Sequence, residues 1–338
     1  MTPPQARQAG GASSAGTITL LNVEFNSSCN LRCAWCSLDH SKPRQIMTPQ
    51  TLTRIMECVQ AGQLPSLKRI DLHNGGETLL HPGLADMLTV IRRFRPGLPS
   101  GLRIGLLTNA MLLTAKTADQ ILRSNALDEL RFSVDGGSPV LYERIRRGAK
   151  WDIVSRNILH FLSKNKHSRR PLCTEIICIL SPEAGLDHAL NPEFAHLLSK
   201  VSRVRLRHPH NWDGSVDLGV NDTSYRSIAA TRSGEACFLL RKNLVVLPDG
   251  RVTVCCNDLN ARGVIGSVLT HSLVELAANP ARLEMLHLFK NGRKKDIPLC
   301  RDCSGFYSAP HAGGSFQERL DNPAEKTTTA VDSRPAFP

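Results

Sequence analysis

From Thr17 to Arg207 short apolar runs alternate with segments of helical period, and this alternation limits the fold more than any other feature of the chain. Thr17–Phe25, Leu67–His73, Leu102–Leu107, Glu129–Val134, Leu172–Leu180 and Val201–Arg207 read as strands. Pro49–Ala61, Gly83–Phe94, Ala115–Ser124, Trp151–Lys164 and Pro192–Lys200 read as helices. Each helix carries the chain back across the sheet, so the strands must lie mostly parallel. Six such units fall short of the eight that close a barrel of about 250 residues. The pattern therefore predicts an α/β fold, a partial (β/α)6 TIM-like barrel, over residues 17–212.

Past Trp212 the pattern changes. A polar stretch from Asp213 to Ser227 precedes two strand-like runs, Lys242–Leu247 and Arg251–Val254, joined across Pro248-Asp249-Gly250. A small second domain is expected over residues 213–308. Residues 1–16 and 309–338 are poor in periodic apolar positions and read as a disordered arm and tail.

The chain carries eleven cysteines, an odd number that cannot pair completely within one molecule. The N-terminus lacks the apolar run of a secretory signal. No stretch approaches the roughly 18–20 apolar residues of a membrane span. A cytoplasmic protein is expected, in which thiols stay reduced and clustered cysteines more often hold metal than form disulfides.

Three of the cysteines stand at the end of the first strand, in Cys29-Asn-Leu-Arg-Cys33-Ala-Trp-Cys36. Soft thiolates in one loop suit an iron–sulfur cluster or zinc. Three ligands leave one position open, as a catalytic centre does and a structural site does not.

This loop resembles the signature of the radical S-adenosylmethionine (radical SAM) enzymes, with Trp35 as the aromatic before the last cysteine. The resemblance implies a [4Fe–4S] cluster on Cys29, Cys33 and Cys36, whose open iron is chelated by SAM. It further implies one-electron cleavage of SAM to methionine and a 5′-deoxyadenosyl radical that abstracts hydrogen from a substrate. Such an enzyme needs an external one-electron donor such as flavodoxin or ferredoxin. Further segments follow in family order. Gly75-Gly76-Glu77 resembles the motif after the second strand, where glycines let backbone approach the ligand and Glu77 can accept from the SAM ammonium; Thr78 stands where proline is usual. Thr108-Asn109 resembles the end of strand three, with Ala110 in place of glycine. Ser133 and Asp135 resemble the end of strand four, facing the ribose or methionyl group, and Arg146 falls in an Ile-Arg-Gly-like segment.

A second set, Cys237, Cys255, Cys300 and Cys303, combines C-x12-G-x4-C with a final C-x2-C. It resembles the SPASM/twitch extension of radical SAM enzymes and implies one auxiliary [4Fe–4S] cluster. A zinc ribbon would use the same four residues. Cys256 reads as a buried neighbour, an exchangeable ligand, or a thiol that returns a hydrogen atom to a substrate radical.

The net charge of +12 invites an anionic partner. Arg205, Arg207, His208 and His210 end the sixth strand and are candidates for an anionic substrate. No basic stripe with interleaved aromatics supports nucleic-acid binding. Only about 17 residues precede the first strand, too few for a leader-recognition domain of at least ~50. The expected substrate is therefore a sugar-, nucleoside- or aminocyclitol-type small molecule, phosphorylated or nucleotide-linked, in antibiotic biosynthesis. Oxidation, epimerisation or C–C coupling would follow. A peptide-modifying maturase and a non-enzymatic zinc or iron–sulfur adaptor are the competing readings.

Overall fold

The computed structural model describes residues 14–179, 191–207, 209–217 and 237–303. Six strands, β1 (Leu20–Val23), β2 (Arg69–Leu72), β3 (Arg103–Thr108), β4 (Glu129–Ser133), β5 (Cys173–Ile179) and β6 (Arg203–Arg207), pair in sequence order and all in parallel. The helices between them are α1 (Pro49–Gln60), α2 (Leu84–Phe94), α3 (Ala115–Ser124), α4 (Pro139–Ile145), α5 (Trp151–Lys166) and α6 (Pro192–Ser199). Four of the six open with proline in the first turn or are capped by a Ser, Thr or Asn side chain: Thr48, Thr114, Ser138 and Asn191 each accept a backbone N–H. These caps satisfy donors that the helix itself leaves unpaired.

Alternation along the strands sorts the two faces. Leu21, Val23, Ile70, Leu72, Ile104, Leu106, Leu130, Phe132 and Ile176 are buried on the outer face, against the helices. The inner face is polar. Asn22, Glu24, Asp71, His73, Glu129, Arg131, Glu175 and Arg205 occupy the alternate positions. Arg69 bridges Asp71 and Glu129 at 2.5 Å each, and Arg131 meets Asp71 at 2.5 Å. The concave interior is thus filled by paired charges where a closed barrel commonly packs branched apolar side chains.

The region after residue 236 forms α7 (Phe238–Lys242), β7 (Asn243–Val246), β8 (Arg251–Thr253), β9 (Val264–Ser267), α8 (Leu273–Ala277) and α9 (Pro280–Lys290). The expected hairpin is present, with β7 antiparallel to β8. It does not form a sheet of its own. β7 lies parallel to β1, with Leu20 opposite Asn243 and Val23 opposite Val246, so one nine-stranded sheet runs β6-β5-β4-β3-β2-β1-β7-β8-β9. The apolar strand β7, buried at all four positions, pairs with the otherwise open edge of β1. At the N-terminus, order begins before residue 17: Ala15 is buried in the core and Thr17 N–H donates to the Ser14 carbonyl. The remainder of the expected arm, and the tail from 309, lie outside the described residues.

Candidate active site

The loop after β1 carries Cys29, Cys33 and Cys36 as free, half-buried thiols. It is fastened along its length. Arg32 N–H donates to the Arg147 carbonyl at 2.9 Å and Ala34 N–H to the Ile145 carbonyl at 2.7 Å, so the loop pairs with the segment following α4. Burial pushes the Cys29 thiol up to about 12, and Glu77, Cys33 and Cys36 add to the rise. Cys33 and Cys36 are raised by burial too, and Arg146 pulls both back. Three mutually repelling thiols beside one guanidinium fit a cationic centre that draws off their protons.

Around them stand the other residues expected from the sequence. Arg146 Nε and Nη2 donate to Asp135 Oδ2 at 2.8 and 2.6 Å, and Asp135 Oδ1 accepts from the Ile179 backbone at 2.8 Å. Asn109 Nδ2 reaches Asn30 Oδ1 at 2.9 Å and lies 3.9 Å from Cys29 Sγ. Ser133 is half-buried at the end of β4. Trp35 offers its backbone carbonyl, rather than its ring, to a partner: Trp212 Nε1 donates to it at 2.6 Å.

Glu77, expected to accept from the SAM ammonium, is held by protein donors through both carboxylate oxygens. Its Oε1 accepts from Thr108 Oγ1 at 2.6 Å and from Leu79 N–H, and its Oε2 accepts from Asn109 N–H at 2.8 Å. Both oxygens tie the end of β2 to the end of β3. The two glycines likewise serve protein packing. A Cβ on Gly76 would stand 1.8 Å from the Asn26 carbonyl, and one on Gly75 would crowd Leu38 and Glu24. Sequence reading missed Glu24, which accepts from both glycine N–H groups at 3.1 and 3.0 Å and whose pKa burial raises to about 7. An acidic residue at the end of a strand, on its polar-facing register, was the available signal.

Cys237, Cys255, Cys300 and Cys303 all line one small cavity, together with Asp213, Leu299 and Lys294. Burial raises the Cys237 and Cys300 thiols, and Cys255 and Cys237 add to the rise at Cys300. Among the described residues no group of three or more His, Cys, Asp or Glu side chains that could hold a single metal ion is found. Four thiols around one cavity are a donor set that a closed iron–sulfur cluster or a zinc ion could use. Cys256 does not line this cavity. Its thiol touches that of Cys255 and its field reaches Arg207, which places it towards β6.

Of the four residues expected to bind an anion, the three that are described have different surroundings. Arg205 is committed to Glu175, with Nη2 at 2.9 Å from Oε1. His210 is buried against the Trp212 ring, and burial together with Arg207 lowers its pKa to about 4, which leaves it neutral near pH 7. Arg207 remains a cation, lowered by burial only to about 10. His208 lies outside the described residues.

Comparison with known proteins agrees with this geometry. The Radical SAM superfamily model matches residues 23–183, and the iron-sulfur cluster-binding domain model named SPASM matches residues 237–304. The chain belongs to the radical SAM superfamily and carries a SPASM region after the barrel. S-adenosylmethionine and iron–sulfur clusters are the cofactors of such a chain. Among curated proteins it is 30% identical over 153 residues to a GTP 3′,8-cyclase of Clostridium perfringens. That match covers 44% of this chain and 44% of the cyclase, so less than half of the relative is spanned. An AdoMet-dependent heme synthase of Methanosarcina barkeri is 28% identical over 130 residues, covering 38% of this chain and 34% of the synthase. Among solved structures, BtrN in complex with AdoMet and 2-DOIA superposes with a TM-score of 0.56 at 19% identity, over 85% of this chain and 92% of BtrN. SuiB of Streptococcus suis, bound to its precursor peptide SuiA, superposes with a TM-score of 0.63 at 12% identity, over 82% and 69%. These likenesses are of fold. Among the described residues no helix is long and apolar enough to cross a membrane.

Proposed function

We propose that this chain cleaves SAM reductively and abstracts hydrogen from a polar small molecule of sugar, nucleoside or aminocyclitol type, in antibiotic biosynthesis. The observation that carries the substrate class is the charged inner face of the sheet. Glu24, Arg131, Glu175, Arg205 and Arg207 offer donors and acceptors in close succession, as a hydroxyl- or amine-bearing ligand requires and an apolar one does not. The guanidinium of Arg207, which stays charged at neutral pH, suits a phosphate or nucleotide-linked substrate.

Cys29, Cys33 and Cys36 would hold the SAM-binding cluster, and Cys237, Cys255, Cys300 and Cys303 one auxiliary cluster. When bound, the first cluster would supply the one-electron reduction of SAM that yields the 5′-deoxyadenosyl radical, with a flavodoxin or ferredoxin as the electron source. The chain's own residues prepare the site. Asp135 fixes Arg146 next to the thiols, Glu77 fixes the Thr108–Asn109 turn, and Asn109 fixes Asn30 in the cysteine loop. Cys256, whose thiol neighbours that of Cys255, would return a hydrogen atom to a substrate radical and so make the outcome epimerisation, the thiyl radical left behind being restored by one proton and one electron from the external donor.

Anaerobic reconstitution followed by measurement of 5′-deoxyadenosine tests the reading. Release should require Cys33 and should rise on addition of the correct small molecule. Release from the Cys33→Ala protein at the wild-type rate would refute the site. A rise with a short precursor peptide, and none with aminocyclitols, sugars or nucleosides, would assign the chain to peptide maturation instead.

A further inference from the structure

Residues 209–217 connect β6 to the C-terminal region, and two neighbours within them grip equivalent points of the two cysteine loops. Trp212 Nε1 donates to the carbonyl of Trp35 at 2.6 Å, and that carbonyl belongs to the peptide bond leading into Cys36. Asn211 Nδ2 donates to the carbonyl of Asp302 at 2.8 Å, and that carbonyl belongs to the peptide bond leading into Cys303. Each contact falls on the peptide immediately ahead of the last cysteine of its loop.

The segment is built to hold this position. Trp212 adopts φ of 57°, a left-handed conformation that a bulky side chain enters only when its surroundings require it. The His210 ring lies 4.7 Å from the Trp212 ring, and His210 Nδ1 accepts from Trp212 N–H at 3.1 Å. Gly214, at φ of 94°, packs so closely on Asp302 that a Cβ would stand 2.5 Å from the Asp302 Cβ. Asp213 lines the second cavity and is paired with Arg262 at 2.9 Å. No helix or strand intervenes between the two grips, so a displacement at Asp302 is delivered to Trp35 over one peptide unit.

We infer that the Asn211-Trp212 pair couples the two cysteine sites: the presence of the auxiliary cluster sets the position of the Trp35–Cys36 peptide, and through it the way the first cluster receives SAM. Asn211 and Trp212 are positioning residues. The inference rests on the radical SAM reading and adds to it a dependence of one site on the other.

The test uses the full chain, reconstituted anaerobically, as wild type, Trp212→Phe, Cys303→Ala and the double variant. Two quantities are read: the SAM dissociation constant, and the electron paramagnetic resonance spectrum of the reduced first cluster with and without SAM. Phenylalanine keeps the ring and removes the donor. Trp212→Phe should keep wild-type iron and weaken SAM binding by about tenfold, the size of one buried hydrogen bond. Its SAM-bound spectrum should resemble that of Cys303→Ala, and the double variant should show no further change. Asn211→Ala, which removes the donor to the Asp302 carbonyl of the second loop, should change the first cluster's spectrum in the same way; it also replaces Trp212→Phe as the probe if that protein does not retain iron. Wild-type SAM affinity and spectrum in both Trp212→Phe and Asn211→Ala, or additive effects in the double variant, would overturn the coupling. A wild-type spectrum that does not respond to SAM would instead refute the radical SAM reading.

Discussion

Arg146 is held by Asp135 through two nitrogens on a single carboxylate oxygen, 2.8 and 2.6 Å away, and both side chains are nearly buried. The pair sits where β4 ends, and its cation faces Cys33 and Cys36. Asp135→Asn should therefore act on the cysteine loop. Removing one partner of a buried pair typically costs about 3–5 kcal/mol. The variant is expected to melt at lower temperature and to release 5′-deoxyadenosine at least about tenfold more slowly, since Arg146 loses its anchor. Thermal unfolding and anaerobic turnover of the two proteins check both expectations.

Ala110 occupies a position that the family resemblance gives to glycine, and the backbone there is left-handed, with φ of 60°. Its N–H donates to Thr108 Oγ1 at 2.9 Å, which fixes the turn in place. A Cβ in this region costs roughly 1 kcal/mol. Ala110→Gly should raise the unfolding free energy by about that amount, seen as a higher urea midpoint at unchanged slope, and a lowered midpoint would contradict it.

Glu24 makes stability depend on pH in a direction opposite to the usual carboxylate. Its pKa is raised from 4.5 to about 7 by burial, against the two glycine N–H groups that lower it. The folded protein therefore binds this proton more tightly than the unfolded chain. Stability contributed by Glu24 is fully present below pH 4.5, falls as pH rises towards 7, and is constant above that. The change amounts to about 3 kcal/mol. Glu24→Gln should remove that portion of the pH dependence between pH 5 and 7, measured by urea unfolding at a series of pH values.

Four cysteines around one cavity predict an all-or-none second site. Cys300→Ala should lower iron from about eight to about four per chain after reconstitution, because three thiolates no longer close the cluster. Iron near eight in this variant would mean that Cys300 is not a ligand.

Arg282 is fully buried in α9 and donates to the carbonyls of Ala277, Leu240 and Arg241. Burial lowers its pKa to about 10, so it remains charged near neutrality. Arg282→Ala would remove the donors to the Ala277 and Leu240 carbonyls, at about 1–3 kcal/mol each before relaxation, while the Arg241 carbonyl keeps the Thr17 hydroxyl. It should be among the most destabilising single substitutions in the C-terminal region, and thermal unfolding checks this.

The barrel strands were legible because outward positions are apolar and inward ones polar: Leu21 and Asn22, Ile70 and Asp71, Leu130 and Arg131 alternate with period two. The four cysteines that line one cavity were grouped in the sequence by their spacing together with the family resemblance. Four helices, α4, α7, α8 and α9, were not read, although two of them carry the same opening signal. Ser138-Pro139 opens α4 and Asn279-Pro280 opens α9, each a capping residue followed by proline. The parallel pairing of β7 with β1 had no local signal, since Asn243–Val246 carries nothing that names its partner. The Arg205–Glu175 pair was equally hidden, because its two members lie on different strands, and what looked like free cations had a partner beside them.

The edge of β1 that β7 covers has a history during synthesis. β1 leaves the ribosome well before Asn243–Val246, its partner on one side. At about 5–20 residues per second the interval is roughly 10–45 s. Throughout it, the N–H and C=O groups of Leu20–Val23 on that side lack their strand partner, close in sequence to the cysteine loop. A chain shortened before residue 243 keeps that edge bare permanently. The C-terminal region is therefore no detachable cassette: the nascent barrel depends on it to close its first strand, and truncated forms should aggregate rather than persist as a simpler enzyme.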